Sequence, residues 1–540
     1  MKKLIKNLKF FAAAILTMYF VSCSENAKHD EKSGTEPMDA TKACKAEEAY
    51  AADGLPEIIE GEVEFNTEEY TKITENAFKN PANEPLSTFS IDVDNASYSN
   101  VRRFLEMGQL PPADAVRIEE MINYFDYDYK EPKGEHPFSV VTEMAECPWN
   151  KDNKLVHIGI QGKSLDYNNL KPCNLVFLID ASGSMEDSNK LPLLKQAFRM
   201  LVKGLSKNDK VAIVTYAGAA GLVLPSVPAT SIFEINDALD KLMAGGSTAG
   251  GEGIELAYKV AKENYIKGGN NRVILATDGD FNVGMSSSGD LVRLIEEKRK
   301  DDIYLTICGF GMGNYKDSRM EEISNAGNGN YFYIDNEKEA EKVFVTELRA
   351  NLFTIAKDVK IQVEFNPANV QAYRLIGYEN RVMNNEDFDD DTKDAGEIGA
   401  GHTVTAIYEI IPTGVQSKYT KAFNLKYQEI KPKKGSENEM MSLSFRYKPI
   451  DKEESVLIKE TVEKADNKFN TASENFRFSA AVAGFGMLLR NSEYKGNLTF
   501  DDVMNIAKKS QGKDKEGYRN EFLTLIEKAD EISKSTAKNE

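Results

Sequence analysis

Asp180, Ser182 and Ser184 stand at alternate positions in NLVFLIDASGSMEDSNK (174–190). Three oxygen-bearing side chains on so short a turn can hold a metal, bind a phosphate or carry a nucleophile. Further along, GGSTAGGEG contains Thr248 and RVILATDGD contains Asp278. A nucleophilic serine needs a general base. The only histidines are His29, His136, His157 and His402, and none falls between Asn174 and Asp335. GGSTAGGEG lacks the Gly-Lys-Ser/Thr ending of a phosphate loop and does not follow a first strand. Serines that merely cap the next helix do not account for Thr248 and Asp278 together. A hard divalent cation fits best, since Mg²⁺ takes about six oxygen ligands at about 2.1 Å and keeps several waters. Here Ser182, Ser184 and Thr248 supply neutral oxygens, and Asp180 and Asp278 supply charge directly or through water. With so few anionic ligands the ion stays electrophilic and can accept a partner's carboxylate. That is a binding device, because the sequence offers no base to activate water.

These residues must be brought together by the elements that carry them. Leu175 to Ile179 is an unbroken apolar run, as expected of a strand covered on both faces. Strand-like NLVFLID, KVAIVTYA, GLVLP, RVILATD, IYLTICGFG and GNYFYID alternate with helix-like stretches such as KLPLLKQAFRMLVKGL and GIELAYKVAKENYIK. This rhythm predicts a doubly wound, mainly parallel α/β sheet. Ligands bind such sheets beyond the carboxyl ends of the strands, so all five oxygen side chains should share one rim. GFGMGN (309–314) reads as a structural turn.

In order, loop context and spacing, the set Asp180, Ser182, Ser184, Thr248 and Asp278 resembles the von Willebrand factor A domain. The resemblance implies that these five form its metal-ion-dependent adhesion site, holding Mg²⁺ or Mn²⁺ with Ca²⁺ as a third candidate. It also implies that Thr248 is the ligand that changes between closed and open states. The flanks STFSIDVDNASYSNVRRFL, RIEEMINYF and AAVAGFGMLLRNSEYKG resemble a family of bacterial lipoproteins in which an A domain sits between N-terminal and C-terminal domains. That likeness covers about residues 85 to 535.

The rest of the chain bounds the function. Its 540 residues exceed one core, and 67 basic against 86 acidic residues leave a net charge of −19. Nucleic acid is therefore no partner, since phosphate binding needs clustered positive charge. MKKLIKNLK and FFAAAILTMYFVS read as a signal peptide over 1–22, ending at Cys23 in a context that resembles a bacterial lipobox. Cys23 is the expected lipidation site, and Ser24 favours the outer membrane. The expected organisation is a tether over 23–80, an α+β N-terminal domain over 81–172, the A domain over 173–350, a β-rich domain over 351–455 and a helical region over 456–540. Asp387, Asp389 and Asp391 alternate like the start of a calcium loop and are a weak second cation candidate, although a solvated acidic loop is the plainer reading. Asp92 and Asp94 read as a turn. A Cys147–Cys173 bridge is allowed, while Cys308 reads as a buried hydrophobe.

Together these features predict a membrane-anchored, extracytoplasmic, non-enzymatic binding protein that engages an acidic group of a protein partner in adhesion or envelope interactions. A metal-assisted hydrolase, or an assembly factor whose A domain docks on its own flanks, are the alternatives.

Overall fold

Every residue of the strand Cys173–Asp180 is buried. Successive side chains of a strand point to opposite faces, so Leu175, Phe177 and Ile179 enter one core while Val176 and Leu178 enter another. The helix Leu191–Lys203 covers the first face, with Phe198 4.2 Å from Phe177 between ring centroids. The helix Gly250–Glu263 covers the second through Ile254, Ala257 and Ala261. Each large apolar side chain buried this way contributes roughly 1.5–3 kcal/mol. The structure is a computed structural model that describes residues 67–166, 170–217, 219–246, 250–279, 288–419 and 434–539. Residues 1–22, Cys23, Cys44 and Thr248 lie outside the described residues.

The sheet runs Ala220–Pro228, Lys210–Tyr216, Cys173–Asp180, Asn270–Thr277, Ile303–Phe310, Tyr331–Ile334. All neighbours are parallel except the antiparallel pair at the first edge. This is the doubly wound sheet expected.

The flanks do not form three successive bodies as the sequence suggested. Strands Phe138–Glu146 and Lys154–Gly162, before the A domain, share an antiparallel sheet with Thr403–Pro412 and Val370–Ile376, after it. Likewise Leu86–Ser90 pairs with Thr354–Phe365, which continues to Glu439–Pro449 and Val456–Glu463. The two sheets share one core that includes Phe89, Val156, Ile158, Ile361, Tyr408 and Phe445. Helices Ile118–Asn123, Glu474–Leu489, Phe500–Lys509 and Tyr518–Asn539 cover the outer face of the first sheet, against Ala145, Leu155, Ile376 and Ile407. The A domain is thus an insertion in one β-sandwich with a helical layer.

Two further expectations need correcting. Residues from 67 onward, read as tether, are docked: the Thr67 and Glu69 amides donate to the Gly313 and Tyr315 carbonyls, and Lys79 pairs with Tyr373. Glu68 holds this segment down on Arg103, with oxygen–nitrogen distances of 2.6 and 2.8 Å, which is why so polar a stretch can pack. Cys147, Cys173 and Cys308 are all buried and free; Cys147 lies in the helical-layer core and Cys173 in the A-domain core, so they form no bridge. No helix among the described residues is long and apolar enough to cross a membrane.

Candidate metal centre

Asp180 ends the central strand, and three loops meet around it. The Ala181 amide donates to the Tyr216 carbonyl at 2.9 Å, and Gly245 and Gly183 exchange bonds across to the second loop, Gly245 to Ala181 at 2.8 Å and Gly183 to Gly246 at 3.2 Å. After Ser182 the chain enters a short 3₁₀ turn, Gly183–Glu186. Asp180 Oδ1 accepts from the Ser182 amide at 2.9 Å and from Ser182 Oγ at 2.6 Å. Its Oδ2 accepts from Tyr216 Oη at 3.1 Å and Thr277 Oγ1 at 3.2 Å. Ser182 Oγ lies 3.1 Å from Ser184 Oγ. Burial raises the Asp180 carboxyl above its usual range, against the opposing Ser182 hydrogen bonds.

Asp278 follows the neighbouring strand Asn270–Thr277 and is wholly buried. Its Oδ2 accepts from Asn314 Nδ2 at 3.3 Å and from Lys190 Nζ at 3.2 Å. Lys190 also donates to the Ser184 carbonyl at 2.9 Å. A side chain at Gly311 would collide with the Lys190 stem, and one at Gly279, where φ is +102°, would meet the Lys316 amide at 2.6 Å. Glycine is required at both.

The structure therefore brings Asp180, Ser182, Ser184 and Asp278 to one rim, with Ser184 exposed and the others buried. Thr248 lies outside the described residues, although Gly245 and Gly246, which lead into it, are stitched to this turn. The donors fit a hard divalent cation: they are all oxygens, only two are carboxylates, and two neutral hydroxyls stand beside Asp180. Sequence reasoning missed Lys190 and Asn314. The glycine turn GFGMGN, which seats Lys190 at Gly311 and supplies Asn314, was the available signal.

The second cation candidate is not assembled. Arg446 reaches Asp389 at 2.9 Å and Asp391 at 3.2 Å, and Lys360 and Lys448 donate to backbone carbonyls of the same loop. Protein cations fill this loop, and no cluster of three or more His, Cys, Asp or Glu side chains suited to a metal occurs among the described residues. Asp92 and Asp94 are buried on Arg381 at 3.0 and 3.1 Å.

With this rim closing a doubly wound sheet, residues 174–346 are a von Willebrand factor type A domain, matched by the family of that description. Such domains often mediate protein interactions and bind metals. Residues 64–157 match the family described as "von Willebrand factor", and residues 350–532 match "Uncharacterized protein YfbK, C-terminal". The chain belongs to the YfbK family: it is 44% identical to Escherichia coli (strain K12) YfbK over 476 residues, 86% of this chain and 82% of that one. A Rhodobacter capsulatus magnesium-chelatase 60 kDa subunit is 31% identical over 117 residues, 22% of this chain and 20% of that one. Among solved structures, a von Willebrand factor type A protein from Catenulispora acidiphila aligns over 72% of this chain and 89% of its own, at 14% identity and a TM-score of 0.40.

Proposed function

We propose that the protein is a lipid-anchored, extracytoplasmic binding protein that grips an acidic group of a protein partner through a divalent cation at the A-domain rim. The observation that carries this reading is the convergence of Asp180, Ser182, Ser184 and Asp278 as an oxygen-only donor set with Ser184 open to solvent. Thr248 is the fifth proposed donor. Mg²⁺ or Mn²⁺, with Ca²⁺ as the third candidate, would offer a partner carboxylate an electrophilic coordination position. The chain's own residues do the rest. Asp180 is locked by Ser182, Tyr216 and Thr277, and Lys190 offsets the charge of Asp278, so the site keeps little negative charge of its own. Met243 and Met312, 81% and 42% exposed, lie in the two loops that bound the rim. Such adaptable apolar side chains suit a protein surface docking around a charged centre.

Calorimetric titration of Mg²⁺, Mn²⁺ and Ca²⁺ into the full chain tests the site. One saturable site, lost in both Thr248→Ala and Asp278→Ala, is expected; a folded wild type that binds none of the three ions would sink the reading. The anchor is tested separately by labelled palmitate, whose incorporation should vanish in Cys23→Ser, and by fractionation, which should place the protein in the outer membrane.

A second reading, an assembly factor whose A domain docks on its own flanks, is favoured by the buried ion pairs that join them. Arg102 reaches Asp335 and Glu339, and Arg117 reaches Asp317. Metal-dependent protection from proteolysis at this junction, without capture of a partner, would favour it.

A further inference from the structure

One strand, Asn270–Thr277, leads at its C-terminal end to the rim aspartate and carries Arg272 near the other. Arg272, Arg102 and Arg374 are the three largest fully buried side chains among the described residues. Arg102 and Arg374 lie within 2.9 Å of carboxylates. Arg272, only 1% exposed, has no carboxylate within 4.0 Å among the described residues. Its Nη1 donates to Thr306 Oγ1 at 2.6 Å, its guanidinium lies 5.7 Å from the Tyr304 ring, and its Nε has no hydrogen-bond partner. Burial presses the guanidinium below the ordinary arginine range; the largest opposing influence is Glu397, which is itself engaged by Thr354 and Asn328. Burying a charge with no carboxylate in direct contact costs several kcal/mol, so a fold that keeps one invites a ligand.

The space for that ligand is present. Arg272 lines a cavity of about 240 Å³ between the A domain and the sandwich, with Lys171, Lys357, Tyr265, Tyr304 and Asp302 also on its wall. Lys357 Nζ stands 5.6 Å from the centroid of the same Tyr304 ring, so both cations neighbour Tyr304. Three cations and one carboxylate, Asp302, line the wall, and Glu397, pushed up to about 7 by burial, acts on Arg272 and Lys357 from off the wall, in a chain whose net charge is −19. The planar guanidinium matches oxyanions through paired N–H donors. A phosphate carries about −1.5 to −2 at neutral pH and answers this excess better than a single carboxylate. We propose that this cavity binds a phosphate-type oxyanion, held by Arg272 and Lys357 with Lys171 at the mouth. The site is separate from the metal rim and does not depend on it.

The test is calorimetric titration of sodium phosphate into the full chain in a chelator-containing buffer, with acetate as a parallel probe. Saturable phosphate binding is expected, at least about tenfold tighter than acetate. Lys357→Gln should weaken it by about tenfold or more, the loss expected for one hydrogen bond to a charged group, and the exposed Lys171→Ala by less. Arg272→Met should abolish it; should that variant fail to fold, the two lysine variants still decide. No saturable phosphate binding, or binding unchanged in both lysine variants, would overturn the proposal. Acetate binding as tightly as phosphate would overturn the choice of a dianion. An Arg272→Met protein that melts higher and binds phosphate normally would make the arginine a structural relic of packing.

Discussion

Arg102 and Lys190 are both buried cations beside an aspartate that follows a strand of the A-domain sheet, at the same end of that sheet. They are held differently. Arg102, on the helix Ala96–Glu106, forks onto Asp335 at 2.5 and 2.8 Å and onto Glu339 at 2.7 Å, and it also reaches Glu521 on the C-terminal helix at 2.9 Å. Lys190 touches Asp278 at 3.2 Å and one carbonyl, and its remaining carboxylate, the largely exposed Asp187, is 3.5 Å away. The arginine joins three segments through charge-assisted bonds with a fixed fork geometry. The lysine is a point charge on a flexible stem. A junction built the first way is made to stay closed, whereas a rim built the second way holds its carboxylate by a single flexible contact.

The strongest way to break this contrast is Arg102→Met. Removing one partner of a buried pair strands the others, at about 3–5 kcal/mol. Denaturant unfolding should show a loss of that order, with the A domain and the helical layer loosening together. A change below about 1 kcal/mol would mean that the junction is not held by charge.

The buried polar groups of the flank give a second, pH-dependent handle. His157 lies between Ser479, 3.0 Å from Nδ1, and Tyr129, 2.7 Å from Nε2, and burial pushes it down to about 3. Its folded value is depressed, so the unfolded chain binds a proton below about 6.5 that the folded chain refuses. Stability is then present above that pH and lost as pH falls toward about 3, at about 1.4 kcal/mol per pH unit. His402, pushed down to about 4 by burial, acts with the same sign. Glu119 and Glu347, each pushed up to about 7 chiefly by burial, act with the opposite sign, losing stability as pH rises. Comparing His157→Gln with wild type between pH 6.5 and 4 isolates the first group: the variant's acid limb should be shallower by about that slope. Parallel limbs would show that His157 is protonated in the fold.

How much of this was legible in sequence depends on how local the cause is. The strand Cys173–Asp180 announced itself because burial on both faces demands an unbroken apolar run. Asp180, Ser182, Ser184 and Asp278 followed, because a parallel sheet brings all strand ends to one edge. The flanks were not legible as one body. Val156 pairs with Tyr408 across the whole inserted A domain, and nothing in either strand's alternation names so distant a partner. Lys190 was missed for a related reason: a lysine just before a helix looks like a solvated residue until a glycine from a remote loop makes room for its stem.

At the rim, Lys190→Met should sharpen the comparison. The ammonium reduces the negative potential that would attract a metal, and its removal leaves Asp278 with Asn314 as a neutral neighbour. Mg²⁺ affinity should rise by about tenfold, consistent with one screened charge a few ångströms away, while unfolding changes far less than in Arg102→Met. Weaker Mg²⁺ binding in the variant would show instead that Lys190 is needed to shape the turn.

The smallest effect is expected where cations and carboxylates meet in water. Asp389 is 83% exposed and pairs with Arg446 at 2.9 Å, a geometry resembling the junction but with the solvent left in. Exposed pairs contribute roughly 0.5 kcal/mol or less, because water already solvates both ions and the side chains lose freedom on pairing. Asp389→Ala should therefore leave the unfolding midpoint nearly unchanged. Since Arg446, Lys360 and Lys448 already supply the loop's positive charge, the same variant should also leave the heat of Ca²⁺ titration unaltered. A lost Ca²⁺ signal would reinstate the acidic loop as a second cation site.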